Sequence, residues 1–129
     1  MNETTSDVRT TSARRDRGQV AIEYLGFVPL LLLCGLLAIQ AGLAAYAANQ
    51  AGTGARAAAR SGSMSSWGGC DVEAGLDAMS GWTASRAHIR PGGLGGDSIT
   101  CTTRVKVPDI LPGVHLWGTA ERSATMPRT

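Results

Sequence analysis

Charged side chains are missing from a long internal stretch of this 129-residue sequence. No charged residue occurs in residues 24–55, and within residues 24–48 the one strongly polar side chain is Gln40. An α-helix rises about 1.5 Å per residue, so about 20 such residues cross the hydrocarbon core of a bilayer. The stretch therefore predicts a membrane-spanning helix. The alternative, a buried helix of a soluble core, would need more apolar surface than the rest of so short a chain supplies.

Aromatic residues and residues with catalytic chemistry are also scarce. One phenylalanine and 17 glycines are typical of a thin, loop-rich domain. His88 and His115 have no partners at metal-ligand spacing, and the glycines of residues 91–97 are not followed by the lysine and Ser/Thr of a phosphate-binding loop. We therefore expect no enzymatic activity, no metal and no cofactor.

Basic residues are concentrated on one side of the apolar stretch. Four arginines precede it and two follow it closely: Arg9, Arg14, Arg15, Arg17, Arg56 and Arg60. Because positively charged flanks stay in the cytoplasm, we predict a cytoplasmic N-terminus and an extracytoplasmic C-terminal part. The net charge of +2 indicates no strongly charged partner.

The composition divides the chain into four segments. Residues 1–18 are a basic cytoplasmic leader, and residues 19–60 a transmembrane helix that continues beyond the membrane. Residues 61–69 form a Gly/Ser linker, and residues 70–129 a small extracytoplasmic domain. We predict an α+β fold in which the long N-terminal helix is followed by a short helix and about three antiparallel strands.

The predicted elements of the exported domain follow from caps and alternation. Asp71 can cap a short helix, on which Val72, Leu76 and Met79 would share one face. Strands are predicted at residues 83–90, 98–107 and 114–124, with residues 91–97 as a loose loop and a turn at Pro112-Gly113.

The second predicted strand alternates most cleanly. One face carries Ile99, Cys101, Thr103, Val105 and Val107. Basic residues lie on the other faces of this strand and the preceding one: Arg86, Arg90, Arg104 and Lys106. No aromatic residues interleave with them, so we interpret them as a solvated sheet face and expect no nucleic-acid binding.

Two of the three cysteines fall in the exported part. Cys70 and Cys101 would meet oxidising conditions there, which favours a disulfide closing a loop of about 30 residues. The alternative is two free thiols. Cys34 lies within the apolar stretch and is interpreted as a small apolar side chain.

The apolar helix contains a proline and recurrent small residues. Pro29 removes a backbone donor and predicts a kink. Ala38 with Gly42, and Ala41 with Ala45, are small residues four apart, which lets helices pack closely. Gln40 can hydrogen-bond between helices, so we predict interhelical packing through Ala38, Gln40, Gly42 and Ala45, the alternative being plain alanine-rich sequence.

The junction between the basic leader and the apolar helix has a distinctive pattern. A basic segment ends at Gly18, and five residues later Glu23 precedes Tyr24 and the uninterrupted apolar run. This pattern resembles the processing signature of type IV prepilins and pseudopilins. Together with Pro29, the leucine run and Gly42, it is similar to the TadE-like family, the minor pseudopilins of tight-adherence (Flp) pilus systems.

The resemblance implies specific roles for these residues. A prepilin peptidase would cut after Gly18 and leave Gln19 as the new N-terminus. Glu23, with Tyr24 beside it, would then pair with the new amine of a neighbouring subunit during assembly, because an unpaired carboxylate in the membrane is costly. The implied partners are the membrane, the peptidase, other pilins and pseudopilins, and pilus-assembly membrane proteins. Alternatively, Glu23 simply reaches the lipid headgroups.

The sequence departs from the family pattern at one position, and a competing hypothesis accounts for the same residues. The TadE-like family often carries a second acidic residue late in the span, where this chain has Gln40, so a charge-pairing role there is in doubt. The competing hypothesis is an ordinary single-pass anchor that presents a small binding domain at the cell surface, with Gly18 and Glu23 incidental. The residues beyond the helix favour a minor component over a major Flp pilin.

Overall fold

The computed structural model describes residues 7–128, with side chains for residues 17–93 and 95–128. The start of the predicted leader and the side chains of Arg9, Arg14 and Arg15 therefore lie outside the described residues. The elements are α1 (Asp7–Met64), α2 (Val72–Asp77), α3 (Gly81–Ala84), β1 (Ala87–Gly95), β2 (Ser98–Lys106) and β3 (Thr119–Pro127). The α+β class, with one long helix and a three-stranded sheet, is confirmed.

The chain divides into two compact units, Met1–Ala38 and Ile39–Thr129. In the N-terminal unit, α1 exposes its large apolar side chains, among them Leu25, Phe27 and Leu32. Of the described residues, one segment, Arg17–Met64 of α1, is long and apolar enough to cross a membrane. The predicted membrane-capable helix is therefore confirmed by its length and composition.

In the C-terminal unit, an alanine face of α1 packs against the sheet. Five alanines are fully buried: Ala47, Ala51, Ala55, Ala58 and Ala59. They form two apolar clusters with residues of β1 and β2 and with residues just after α2 and β2: Met79, Ile89, Ile99, Cys101, Val105 and Val107. Alanine side chains are short, so the helix backbone lies close to the strands.

The sheet is antiparallel with strand order β1-β2-β3. The alternation predicted for β2 is confirmed, since all five residues of its predicted apolar face are buried. Residues 91–97 were predicted to be a loop, but β1 continues to Gly95 and pairs there with Ser98. Pro91 is tolerated because β1 is an edge strand, and the register shifts between Pro91 and Gly93.

Three other predicted boundaries differ from the structure. The helix continues past Arg60 to Met64, and β3 occupies Thr119–Pro127 instead of residues 114–124. The strand predicted from Thr83 begins at Ala87, because Thr83 lies in α3, where its hydroxyl donates to the Ser80 carbonyl at 2.8 Å. On α2, Val72 is exposed, and the buried residue is Gly75.

Candidate functional site

The residues predicted to act in processing and assembly lie together on the first part of α1. Gly18, Gln19, Glu23 and Tyr24 are all exposed, and Pro29 lies inside the same helix. A Cβ at Gly18 would have no neighbour within 4 Å. Packing within the chain therefore does not require glycine at this position.

Glu23 and Gln19 lie one helical turn apart. Their spacing of four residues places both on the same face of α1. Among the described residues, the ion pairs are Arg104–Glu121 and His115–Asp109, and neither involves Glu23.

Gln40 is 2% exposed and binds the backbone of a loop in its own unit. Its Nε2 donates to the carbonyl oxygen of Pro108 at 3.0 Å, and its Oε1 accepts from the N–H of Ile110 at 3.1 Å. This corrects the interhelical hydrogen bond predicted for Gln40, since the amide is already used within the chain. A lone amide in an apolar run was the available signal, but its partner lies 68 residues away in the sequence.

The other small residues predicted to pack between helices are exposed. Ala38 belongs to the N-terminal unit, and Gly42 and Ala45 to the C-terminal unit. A Cβ at Gly42 would meet nothing within 4 Å. In the C-terminal unit, Ala41, Ala44, Ala45 and Ala48 line an open groove together with the loop and sheet residues Val107, Trp117, Thr119 and Ala120. Packing between helices stays a prediction for Ala38, Gly42 and Ala45.

A disulfide joins the start of the small domain to the sheet. Cys70 and Cys101 are bonded, with their Cα atoms 5.8 Å apart, and Cys34 is free and exposed. The bridge predicted from the sequence is therefore present. It lies next to Asp71, so the turn that leads into α2 is held at two consecutive residues.

Asp71 caps α2, as predicted, and also contacts α1. Its Oδ1 accepts from the Ala74 N–H at 3.1 Å, and its Oδ2 accepts from the Ser61 hydroxyl at 2.6 Å. These bonds, the Ser61 bond first, lower the pKa of Asp71 below its ordinary value. The carboxylate form therefore stabilises the contact between the end of α1 and the start of α2.

The outer face of the sheet is basic. Arg86, His88, Arg90, Arg104 and Lys106 line a shallow open depression on this face. The Arg104 Nε donates to the Glu121 Oε2 at 2.6 Å across the β2–β3 pair. Both side chains are about half exposed, so this pair contributes little stability. The predicted solvated basic face is confirmed.

Among the described side chains, those of residues 17–93 and 95–128, no group of three or more His, Cys, Asp or Glu is placed to hold a metal ion. Residues 18–60 match the model of the TadE-like protein family. No curated protein and no solved structure matches the chain significantly.

Proposed function

We propose, on the premise that residues 18–60 are TadE-like, that this chain is a minor pseudopilin that acts in the assembly or priming of a Tad-type pilus. A prepilin peptidase removes residues 1–18 by cutting after Gly18. The observation that carries the proposal is the family match, which begins at Gly18 and contains the whole apolar helix. The chain has a binding and structural role, and not an enzymatic one.

The membrane span occupies about residues 20–39. Gln40 holds the backbone of residues 108–110, and loop backbone does not occur exposed to lipid in the hydrocarbon region. Ala47 is fully buried, and Tyr46 stacks on Trp82 with ring centroids 5.6 Å apart. The span therefore ends before Gln40, earlier than the predicted residues 24–48, and roughly 20 residues still cover about 30 Å.

Cleavage after Gly18 would create an ammonium group on Gln19 at the inner edge of the span. Glu23 has no ion-pair partner among the described residues. A carboxylate at this depth is favourable only when it is neutralised. An amine from a neighbouring pilin or pseudopilin neutralises it, and such a pair favours one stagger of the two helices over others.

The topology follows from the charge asymmetry. The arginines before the span keep the N-terminus in the cytoplasm, so the disulfide-bonded C-terminal unit faces outward, where the bridge is stable. The partners are the peptidase, the assembly membrane proteins and other pilins. The exposed small residues Ala38, Gly42 and Ala45 are the contact positions for neighbouring helices.

The test is the N-terminus of the native protein, determined by mass spectrometry after expression with the cognate peptidase. We expect Gln19 as the first residue in the wild type and an uncut chain for Gly18→Val. Gly26→Val is the matched control, since Gly26 also lies on α1 with nothing within 4 Å of a Cβ. It should be processed normally.

An intact N-terminus in a strain that assembles normal pili would contradict the proposal. That result would favour the second hypothesis, a single-pass anchor that presents a small surface domain. A wild-type chain cut elsewhere would contradict the role of Gly18 alone.

A further inference from the structure

We infer that the loop between β2 and β3, residues 108–118, lies in the outer headgroup region of the lipid bilayer. This loop is called the β2–β3 loop below. The inference rests on the membrane span of the proposed function. It adds a second lipid contact, made by a segment that is far from the span in sequence.

The β2–β3 loop exposes an unusual set of large apolar side chains. Ile110, Val114, Leu116 and Trp117 are all at least one-third exposed, and Trp117 is 51% exposed. Contiguous exposed apolar side chains on a small domain indicate an interaction site. Tryptophan is enriched where a protein crosses from hydrocarbon to water, because its ring has an apolar body and a polar N–H.

Gln40 places this loop at the outer end of the span. Its side chain binds both Pro108 and Ile110, and its chain neighbour Ile39 is 56% exposed. The last apolar residue of the span and the residue that holds the loop are therefore consecutive. Since a helix rises about 1.5 Å per residue, the loop backbone at Pro108 and Ile110 is held close to the level at which the span leaves the hydrocarbon.

Internal hydrogen bonds order the loop. The Val107 N–H donates to the Gly118 carbonyl at 3.1 Å, and the Val114 N–H donates to the Leu111 carbonyl at 3.3 Å. Gly113 has a φ of 83°, as the third position of a turn with Pro112 at the second requires. The backbone that carries the apolar side chains is thus ordered in advance, which lowers the ordering cost of binding.

The polar groups of the loop favour the headgroup region of the bilayer over the hydrocarbon. The His115 Nδ1 lies 2.7 Å from the Asp109 Oδ2, and the His115 side chain is 82% exposed. Such a pair is costly in hydrocarbon but not among hydrated headgroups. Lys106 and Arg86 are exposed at the base of the loop, and the Lys106 N–H donates to the Arg86 carbonyl at 3.1 Å. These two cations can contact lipid phosphates.

The experiment uses the full-length protein reconstituted into phosphatidylcholine vesicles that contain lipids brominated along the acyl chain. Tryptophan fluorescence is compared between the wild type, Trp117→Phe and Trp67→Phe. Trp67, at 94% exposed, is the matched control. We expect bromolipid quenching of the wild type, loss of most of the quenchable component in Trp117→Phe, and its retention in Trp67→Phe. Leu116→Ser should also reduce it, without removing a fluorophore.

Flotation of the protein with the vesicles separates the two proposals. A protein that floats but shows equal quenching in the wild type and Trp117→Phe would overturn the inference and leave the membrane span intact. A protein that does not float would overturn both. Quenching that disappears when a second pilin is added would assign the loop to a protein interface, and would also overturn it.

Discussion

Gly54 on α1 and Gly75 on α2 lie in direct backbone contact in the C-terminal unit. A Cβ at Gly75 would lie 2.9 Å from the Gly54 carbonyl oxygen, and a Cβ at Gly54 would lie 3.2 Å from the Gly75 carbonyl oxygen. Both residues are buried. A glycine inside a helix costs about 1 kcal/mol relative to alanine. In the structure, Gly54 lies where the backbone of α1 comes close to the backbone of α2.

Alanine at Gly75 or Gly54 should destabilise the C-terminal unit. At Gly75 the added methyl group meets the side chain of Ile89 and the backbone oxygen of Gly54, and at Gly54 it meets the side chain of Met79 and the backbone oxygen of Gly75. Overpacking of this kind costs roughly 1–3 kcal/mol, with the larger effect expected at Gly75, where the backbone atom is closer. Gly52→Ala is the matched control, because its Cβ would meet only side-chain atoms at 3.7 Å and 3.9 Å. That change should be neutral or stabilising, by up to about 1 kcal/mol.

The measurement for these glycine variants is thermal or chemical unfolding of the purified protein in detergent, followed by circular dichroism. Equal stability of Gly75→Ala and Gly52→Ala would show that α1 and α2 leave room for a methyl group at Gly75.

Replacing Gln40 with methionine should release the β2–β3 loop. Methionine has a similar shape but removes the hydrogen bonds to the Pro108 carbonyl and the Ile110 N–H, each of which contributes roughly 0.5–1.5 kcal/mol. Hydrogen exchange at the Ile110 amide should accelerate strongly. Ile39→Met, at the exposed neighbouring position, should leave it unchanged. Unaltered protection in Gln40→Met would mean that the loop is held by other contacts.

Removing the Cys70–Cys101 bridge should lower the stability of the C-terminal unit by about 3–4 kcal/mol, the value for a closed loop of this length. The double variant Cys70→Ala/Cys101→Ala is compared with Cys34→Ala, which removes the free thiol and should leave the unfolding midpoint unchanged. Thiol labelling of the non-reduced wild type should modify one cysteine. Labelling of all three would show that the bridge does not form.

Acid should weaken the contact between α1 and α2 through Asp71. Its hydrogen bonds lower the pKa of Asp71 in the folded protein below the value of about 4 that it has in the unfolded chain. The carboxylate therefore contributes its full stability above about pH 4. This contribution is lost as the pH falls through the lower pKa of the folded protein. Between about pH 7 and pH 2 the wild type should lose more stability than Asp71→Asn. Parallel unfolding profiles of the two proteins would exclude this role.

Glu23 should be required for assembly and not for processing. Glu23→Ala removes the carboxylate that we propose pairs with the amine of a neighbouring subunit, whereas the residues around Gly18 are unchanged. We expect a normally processed N-terminus together with a marked loss of assembled pili, measured by shearing and electron microscopy. Glu23→Gln tests whether charge is needed, since an amide can still accept a hydrogen bond. Normal pili from both variants would argue against pairing at this residue.

The predictions that came true from the sequence rest on local patterns. A long uncharged run requires a helix that can enter a membrane, and the alternation of β2 requires one buried face. Asp71 was recognised as a cap because capping involves residues within one turn. The Cys70–Cys101 pair could be predicted because only two cysteines lie outside the apolar run. Each of these inferences depends on neighbouring residues or on a small number of possible pairs.

The errors arose where a residue's role depends on a distant partner. Residues 40–48 are as apolar as a membrane span. Their alanines could face either lipid or a sheet, and the sequence does not distinguish these environments. The packing of Ala47 against Val105 and Met79 shows that this face of the helix contacts the domain. Likewise, Pro91 and the glycines after it are typical of a loop, but pairing with β2 retains them in a strand.

The sequence by itself determined the class of this protein. It specified one apolar helix with a single acid, Glu23, at the start of the uncharged run, together with a small α+β domain and the bridge that closes it, because hydropathy and alternation are properties of adjacent residues. Tertiary structure alone decided where α1 starts packing on the sheet, which backbone groups Gln40 binds, and why Gly54 and Gly75 are glycines. Those outcomes depend on buried contacts between segments far apart in the chain, and the sequence of one segment does not identify its partner.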